Sequence, residues 1–292
     1  AVQMPNGAVM GGTVEQPPTP AVFNTGQVIL GWLRAHAETG GDKYLEAARR
    51  AGRFLVETQA PNGQWIKGNS RFADPASTTY NSRVGWALIL LGEATHENLF
   101  TEAGERNIIF TLSRQQENGW FADNCLSDPK APLLHTICYA IEGILGAARA
   151  TGNADWQRRA MLPATRLLEA LDSRGALPGR FDASWRGTVS WSCLTGNAQL
   201  AGICLTLYEE SGLDRYREGA ERLLAFLKRT QNCRSTVAGI RGGIKGSHPF
   251  DGAYGRFEIL NWATKFFIDA LIQAERISEA VNRTGGALPA GR

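Results

Sequence analysis

The stretch QAPNGQW, Gln59–Trp65, returns further along the chain as QQENGWF, Gln115–Phe121. Both copies keep a glutamine, a glycine and a tryptophan in the same order, and both follow a segment whose apolar residues are spaced as on one face of a helix. A helical segment that recurs together with its loop is the sequence signature of a repeat architecture. The segments on either side of these loops should therefore repeat as well.

Amphipathic segments precede the loops. The recurring residues in successive copies are Tyr44, Ala48, Phe54 and Gln59, then Phe100, Gly104, Phe110 and Gln115, then Tyr216, Ala220, Phe226 and Gln231, with a divergent copy at Trp156 and Ala160. This spacing puts the aromatic and small residues on one helix face, while Arg, Lys and Glu occupy the other. Each copy is predicted to be an amphipathic helix.

A more apolar segment comes before each amphipathic one. These segments are TGQVILGWLRAHAE, SRVGWALILLGEA, HTICYAIEGILGAARA and LTGNAQLAGICLTLYEE, and a fifth, LNWATKFFIDALIQAE, follows the last repeat. Their apolar residues lie nearly all round the helix, which indicates burial. The short connections contain Gly, Asn or Asp, as helix caps require. The predicted unit is an αα-hairpin, with four complete copies and a fifth inner helix.

The predicted fold class is all-α: repeated αα-hairpins that form an α/α toroid, complete or incomplete. Long Gly-, Pro- and Trp-rich loops connect each outer helix to the next inner helix, and so gather at one end; they cover residues 61–79, 117–133, 173–192 and 232–258. Loops of this length are typical of functional segments. The structural alternative is a TPR-type solenoid, whose period is shorter, at about 34 residues.

The spacing of Gln59, Gly63 and Trp65 resembles the QW repeat of squalene-hopene cyclases and prenyltransferase-like toroids. FNTGQVILGW and DKYLEAARRAGRFLVETQAPNGQW also resemble repeats of six-hairpin carbohydrate-active enzymes. The resemblance concerns architecture, because glycosidases, polysaccharide lyases, sugar epimerases and terpene cyclases share such repeats. Terpene cyclisation needs an acidic cluster, and the sequence has neither DxDD nor DDxxD.

Composition limits the other classes of function. The chain has 292 residues and a net charge of +3, and it lacks a run of Lys and Arg, so a nucleic-acid partner is not expected. It has no apolar run of the ~20 residues that span a bilayer. Five widely spaced cysteines and the lack of a signal peptide weakly favour a cytoplasmic location. We expect one domain over residues 1–292, part of a longer chain, and make no prediction of its oligomeric state.

Catalytic candidates come from the inner-helix starts and the loops. His135 and Tyr139 lie one helical turn apart, with Glu142 on the same face, and they are the first candidates for proton transfer. Glu142 could instead form a structural ion pair with Arg83 or Lys265. Glycoside hydrolysis needs two carboxylates, for which the loop candidates are Asp123, Asp182 and Asp251.

Substrate-binding candidates are polar residues near the inner-helix starts and aromatic residues of the loops. Sugars stack on aromatic rings and bond to amides and charged groups. The candidates are Asn81, Arg83, Trp185, Trp191, Asn197, Tyr254, Arg256, Asn261 and Lys265. Asn24, Asn81 and Asn261 also occur where helix N-caps are expected. For Trp65 and Trp120 we prefer a structural role at the joints between hairpins.

These residues lead to a hypothesis with several alternatives. We predict a carbohydrate-active enzyme that binds a glycan or polysaccharide and uses general acid/base chemistry, with hydrolysis slightly favoured over uronate lyase or epimerase chemistry. The alternatives are a non-enzymatic helical-repeat scaffold, a terpene-cyclase-like toroid and a lanthionine-cyclase-like toroid. The last would hold zinc through Cys125, Cys193, His135 and His248, but the Cys-His pair expected of it is missing. No metal and no cofactor are predicted.

Overall fold

The computed structural model describes residues 3–12, 15–68 and 78–284, and helices dominate it. The helices are α1 Val22–Thr39, α2 Asp42–Thr58, α3 Ser82–Thr95, α4 Asn98–Ser113, α5 Leu134–Thr151, α6 Ala154–Glu169, α7 Leu194–Ser211, α8 Asp214–Thr230 and α9 Asn261–Thr284. Two short antiparallel pairs join β1 Met10–Gly11 to β2 Thr19–Pro20 and β3 Ser192–Cys193 to β4 Ser247–His248. No helix in this part of the chain has the length and apolar composition needed to cross a membrane.

The predicted hairpins are confirmed. The apolar helices α1, α3, α5 and α7 are each followed, after a short turn, by an amphipathic helix, and α9 comes last. Gly40 after α1 and Gly212 after α7 both have φ 66°, a left-handed conformation that glycine adopts without steric cost. His96 takes the same conformation, with φ 57°, at the end of α3. Gly152, with φ 69°, does so after α5, so a left-handed residue reverses the chain in each of the four hairpins.

The N-cap prediction is wrong for Asn24. Helix α1 already begins at Val22, with Ala21 as the extended N-cap residue, so Asn24 lies inside the helix and its amide donates to the Met10 carbonyl at 3.3 Å. Asn81 does occupy the N-cap position of α3, although its side chain makes no capping hydrogen bond. Asn261 is the first residue of α9.

The QAPNGQW loop is a joint between successive hairpins. The Gln59 amide donates to the Gly63 carbonyl of its own loop at 3.2 Å and to the Ala103 carbonyl of α4 at 2.9 Å. The Arg106 guanidinium donates to the Gln59 Oε1 at 3.1 Å. The loop after one hairpin is thus bonded to the outer helix of the next.

Trp65 completes this joint. Its ring is fully buried, and its indole N–H donates to the Leu55 carbonyl of α2 at 2.9 Å. Trp120, at the corresponding place in the second copy, is also buried. The structural role predicted for these two tryptophans is therefore confirmed.

The same joint occurs in two further places. Gln115 makes the equivalent pair of bonds, 3.4 and 2.9 Å long, to its own loop and to α6. Gln3 makes a third pair, 3.0 and 2.8 Å long, to its own loop and to α2. QMPNG, Gln3–Gly7, is thus another copy of the motif, which the sequence analysis did not identify.

The chain divides into two compact units. The first comprises Ala1–Pro129 and Tyr139–Ala160, and the second Lys130–Cys138 and Met161–Arg292, so that α5 and α6 each contribute to both. In the first unit the core is formed by α1 to α4. In the second unit α7, buried along most of its length, packs on α8 and α9. The expectation of a single domain over residues 1–292 stays a prediction.

Candidate functional site

A buried polar cluster lies at the start of α5 in the second unit. His135 is the second residue of that helix and is only 6% exposed, because Gly196 of α7 packs directly against its backbone. The His135 Nδ1 lies 2.7 Å from the Oε1 of Gln199, which is also buried. The ring of Tyr254 lies 5.5 Å from the imidazole, between ring centroids. Three residues distant in the sequence therefore meet around one imidazole.

The contact with Gln199 fixes the tautomer of His135. An amide oxygen only accepts hydrogen bonds, so Nδ1 must carry the hydrogen. Nε2 is then the basic nitrogen of the neutral imidazole. This arrangement suits a histidine that takes up a proton and later returns it.

Tyr254 is held in place by its own loop. Its backbone N–H donates to the Ser247 Oγ at 3.2 Å, and the Ser247 hydroxyl donates to the Tyr254 carbonyl at 2.6 Å. Its hydroxyl accepts a hydrogen bond from the Trp262 indole at 2.8 Å. A Cβ on Gly246 would lie 2.4 Å from the Tyr254 carbonyl oxygen, so only glycine allows this approach. The ring beside His135 is thus positioned by backbone as well as side-chain contacts.

Asn197 and Trp191 lie in the same unit. The Asn197 side chain donates to the Cys193 carbonyl at 2.8 Å and accepts from the Leu177 N–H at 3.3 Å, so both ends of its amide are used within the fold. Trp191 is half-buried, and its ring covers Gly179 so closely that a Cβ there would lie 2.2 Å from it. Their predicted role in substrate binding stays a prediction.

A second polar cluster occupies the first unit. Arg83, only 7% exposed, forms an ion pair with Glu142, and its Nε donates to the Gln27 Oε1 at 2.5 Å. Its guanidinium lies 5.5 Å from the ring centroid of Tyr139 and 5.7 Å from that of Trp86. The ion pair considered for Glu142 and Arg83 is therefore present. It joins α3 to α5.

Aromatic residues surround Tyr139. Its ring lies 4.6 Å from that of Phe23, which in turn lies 5.6 Å from Tyr80. Tyr80 is buried, and this burial, with a smaller effect of Cys125, raises the pKa of its phenol above the usual value. Tyr139 thus lies in an aromatic environment with one buried cation beside it.

The three loop aspartates differ in their surroundings. Asp123 has φ 54° and forms an ion pair with Arg114 at 3.2 Å. Asp182 accepts from the Arg186 N–H at 3.0 Å and the Ser184 N–H at 2.9 Å, and pairs with the Arg186 guanidinium. The Arg186 N–H, against a smaller opposing effect of burial, holds the pKa of this carboxyl below its usual value, with further help from Ser184 and the guanidinium. Asp251 is exposed.

The remaining binding candidates lie on the surface. Lys265 forms an exposed ion pair with Asp269 at 2.6 Å and, with Asn261, lines a depression of about 500 Å³. Trp185 is half-buried, has φ 59° and lies 6.4 Å from the Phe181 ring. The exposed Arg256 guanidinium lies 5.0 Å from the Phe257 ring. Their roles in binding stay predictions.

The buried cysteines are Cys125, Cys138, Cys193 and Cys204, and Cys233 is exposed. Burial raises the pKa of Cys193 to about 12, although the N–H groups of Gly196, His135 and Thr195 oppose the shift. Within residues 3–12, 15–68 and 78–284, no group of three His, Cys, Asp or Glu side chains is arranged to hold a metal ion.

The sequence did not single out Gln199, Gln27 or Trp86. The two glutamines belong to the polar residues of the inner-helix starts, but their spacing gave no reason to prefer them. Their importance follows from the partners they meet, His135 and Arg83. Each glutamine and its partner lie on different helices, so the spacing within one helix does not reveal the contact. The only signal in the sequence was a polar residue within a mostly apolar helix.

No protein-family profile matches the chain, and no curated protein sequence does. Solved structures do match. D-mannose isomerase aligns over 96% of this chain and 78% of its own, with 16% identity and a TM-score of 0.73. Unsaturated glucuronyl hydrolase from Bacillus sp. GL1 aligns over 87% and 74%, with 16% identity and a TM-score of 0.69. Cellobiose 2-epimerase from Bacillus thermoamylovorans aligns over 88% and 72%, with 14% identity and a TM-score of 0.67.

At these identities the similarity establishes the fold. The matched proteins are carbohydrate enzymes with α/α-toroid folds, and the chain shares that fold class. The predicted fold class and the architectural part of the resemblance are therefore confirmed. Function has to be argued from the residues of this chain, because one fold supports several reactions.

Proposed function

We propose that the chain is a carbohydrate-active enzyme that binds a glycan and transfers protons on it with His135 as the general acid/base. The observation that carries the proposal is the contact of the His135 Nδ1 with the Gln199 Oε1, at 2.7 Å, beside the ring of Tyr254. Such a contact orients the imidazole and makes Nε2 the proton acceptor. The tyrosine ring offers a face for a sugar.

Proton removal next to a sugar carbonyl fits this site better than hydrolysis. Isomerisation of an aldose to a ketose needs one well-placed base that moves a proton between neighbouring carbons, and groups that stabilise the enolate formed; epimerisation needs in addition a proton donor on the opposite face. Hydrolysis needs two carboxylates in defined roles. Here Asp123 and Asp182 are bonded to Arg114 and Arg186 respectively. D-mannose isomerase and cellobiose 2-epimerase are among the proteins of similar fold, which supports the same choice.

Hydrolysis stays the second candidate because of Asp182. Its pKa, held below the usual value, keeps it a carboxylate at neutral pH, as a base or nucleophile must be. Unsaturated glucuronyl hydrolase, another protein of similar fold, carries out hydrolysis. The terpene-cyclase-like, lanthionine-cyclase-like and scaffold alternatives have no comparable support.

The test replaces His135 with asparagine, which keeps polarity and removes the base. The chain is incubated in D₂O with aldoses, disaccharides and unsaturated uronyl oligosaccharides. Deuterium at sugar C2 reports proton removal, and new reducing ends report hydrolysis. We expect deuterium incorporation by the parent chain and a loss of about 10²–10⁴-fold in His135→Asn.

His36→Asn is the matched control, because His36 lies on α1 outside both clusters. It should leave turnover unchanged. Turnover within about threefold of the parent in His135→Asn would contradict the assignment. New reducing ends without deuterium incorporation, lost in Asp182→Asn, would select hydrolysis. Retained glycan binding without turnover of any substrate would support the scaffold.

A further inference from the structure

Four side chains form a cation–aromatic surface in the second unit: the exposed Phe250, Arg256 and Phe257 and the half-buried Lys245. The two phenylalanine rings meet edge to face with centroids 5.6 Å apart. The Lys245 ammonium lies 5.3 Å from the Phe250 ring, and the Arg256 guanidinium lies 5.0 Å from the Phe257 ring. Each ring thus carries its own cation.

The loop holds the backbone of Phe257 in an unfavourable conformation and leaves its ring exposed. Phe257 is 60% exposed and has φ 60°, which a bulky residue adopts only at a steric cost. Its N–H donates to the Phe250 carbonyl at 3.0 Å, and this bond closes the loop. Exposed apolar area combined with a strained backbone indicates a surface with a binding role.

The charge of the loop indicates the kind of ligand. Among the ion pairs of the described residues, none includes Lys245 or Arg256. Burial, followed by Lys245 and Arg174, lowers the pKa of nearby His248, which is consistent with a positive potential here. Over residues 232–258, cations outnumber carboxylates: Arg234, Arg241, Lys245 and Arg256 against Asp251 and Glu258.

The surface belongs to the same loop as the candidate site. Tyr254, between Phe250 and Arg256 in sequence, contacts His135 on one side and accepts a hydrogen bond from Trp262. Trp262 is 44% exposed. The ring beside His135 and the cation–aromatic surface are therefore parts of one loop.

We propose that the cation–aromatic surface binds a sugar chain that carries carboxylates, that is, a polyuronate. The rings stack against sugar faces, while the ammonium and guanidinium groups pair with carboxylates of the sugar chain. The inference rests on the proposed function in taking a sugar chain as the ligand. It adds the acidic class of that chain and a binding surface outside the buried cluster.

The test compares two polymers that differ only in charge. Polygalacturonate and its methyl-esterified form are titrated into the chain by calorimetry, at low and high salt. We expect tighter binding of polygalacturonate, weakened by salt. The double substitution Lys245→Gln, Arg256→Gln should weaken that binding about fivefold or more and leave the esterified polymer nearly unaffected. Phe257→Ala should weaken both.

Arg241→Gln is the matched control, since it removes one exposed charge from the same loop outside the four residues, and it should change affinity by less than about twofold. Equal affinity for both polymers, or an equal loss in Arg241→Gln, would overturn the inference. Tighter binding of single-stranded oligothymidylate than of polygalacturonate would also overturn it, because single-stranded nucleic acid likewise binds cations and aromatic rings. His135→Asn should lose turnover but keep its affinity for polygalacturonate. A failure of this inference can therefore be distinguished from a failure of the proposed function.

Discussion

Gln199 is a hydrogen-bond partner of His135, because its Oε1 lies 2.7 Å from Nδ1. Gln199→Glu places a carboxylate there and favours the imidazolium, so we expect the pKa of His135 to rise by about one unit or more. The midpoint of the His135 NMR titration should move upward. The acid limb of the turnover profile should move with it, which a purely structural role would not produce.

The control is the resonance of His36 on α1, which the substitution should leave unaffected. A carboxylate at residue 199 is buried, so some loss of stability is expected. Gln199→Asn, which shortens the side chain without adding charge, should lower turnover and leave the titration midpoint in place. An unchanged midpoint in Gln199→Glu would contradict the contact.

His248 should make stability depend on pH. Burial and then the charges of Lys245 and Arg174 lower its pKa below the ordinary 6.5. The unfolded chain then binds more protons than the folded chain below pH 6.5, so the stabilisation is complete above that pH and is lost as the pH falls. Urea unfolding between pH 8 and 5 should show a shallower fall in His248→Asn than in the parent. If the free energy of unfolding falls equally steeply with pH in both chains, folding does not lower the pKa of His248.

The joint between hairpins is a property of the repeated element. Gln59→Ala removes the bonds to the Gly63 and Ala103 carbonyls and leaves Arg106 without its acceptor. We expect the free energy of unfolding to fall by about 1–3 kcal/mol. Gln116→Ala removes an exposed glutamine from the following joint and should change stability by less than about 0.5 kcal/mol. Equal effects would show that the joint contributes nothing.

The helices themselves followed from local pattern. The period of apolar residues gave α1 to α9, and the turn residues Gly40 and Gly212 marked the hairpin connections. Helix starts were less certain: α1 begins before Asn24, because Ala21 and Val22 already have tertiary partners in Val9 and Gly68. A short stretch of sequence does not show the hydrogen bonds that its backbone makes to distant loops.

At the scale of the molecule, Arg83 and Glu142 couple helices that are far apart in the sequence. Removing one member leaves a poorly solvated charge, so Arg83→Leu or Glu142→Leu should each cost about 3 kcal/mol or more. The double substitution should cost less than the sum of the two. Denaturant unfolding of the parent chain, the two single variants and the double variant gives the coupling free energy between the two charges. Additive losses would mean that the two charges do not stabilise each other.

The sequence alone determined the repeated hairpins and the all-α class, because both depend on residues within one or two turns of helix or within one loop. It also predicted the tryptophan joints, because their motif repeats, although their hydrogen bonds reach the next hairpin. It also named His135, Tyr139 and Arg83, since polar residues are few in the inner helices. Only the tertiary structure decided their partners, Gln199 for the histidine and Glu142 for the arginine. Hydrogen bonds and ion pairs act over a few ångströms in space, whatever the separation along the chain.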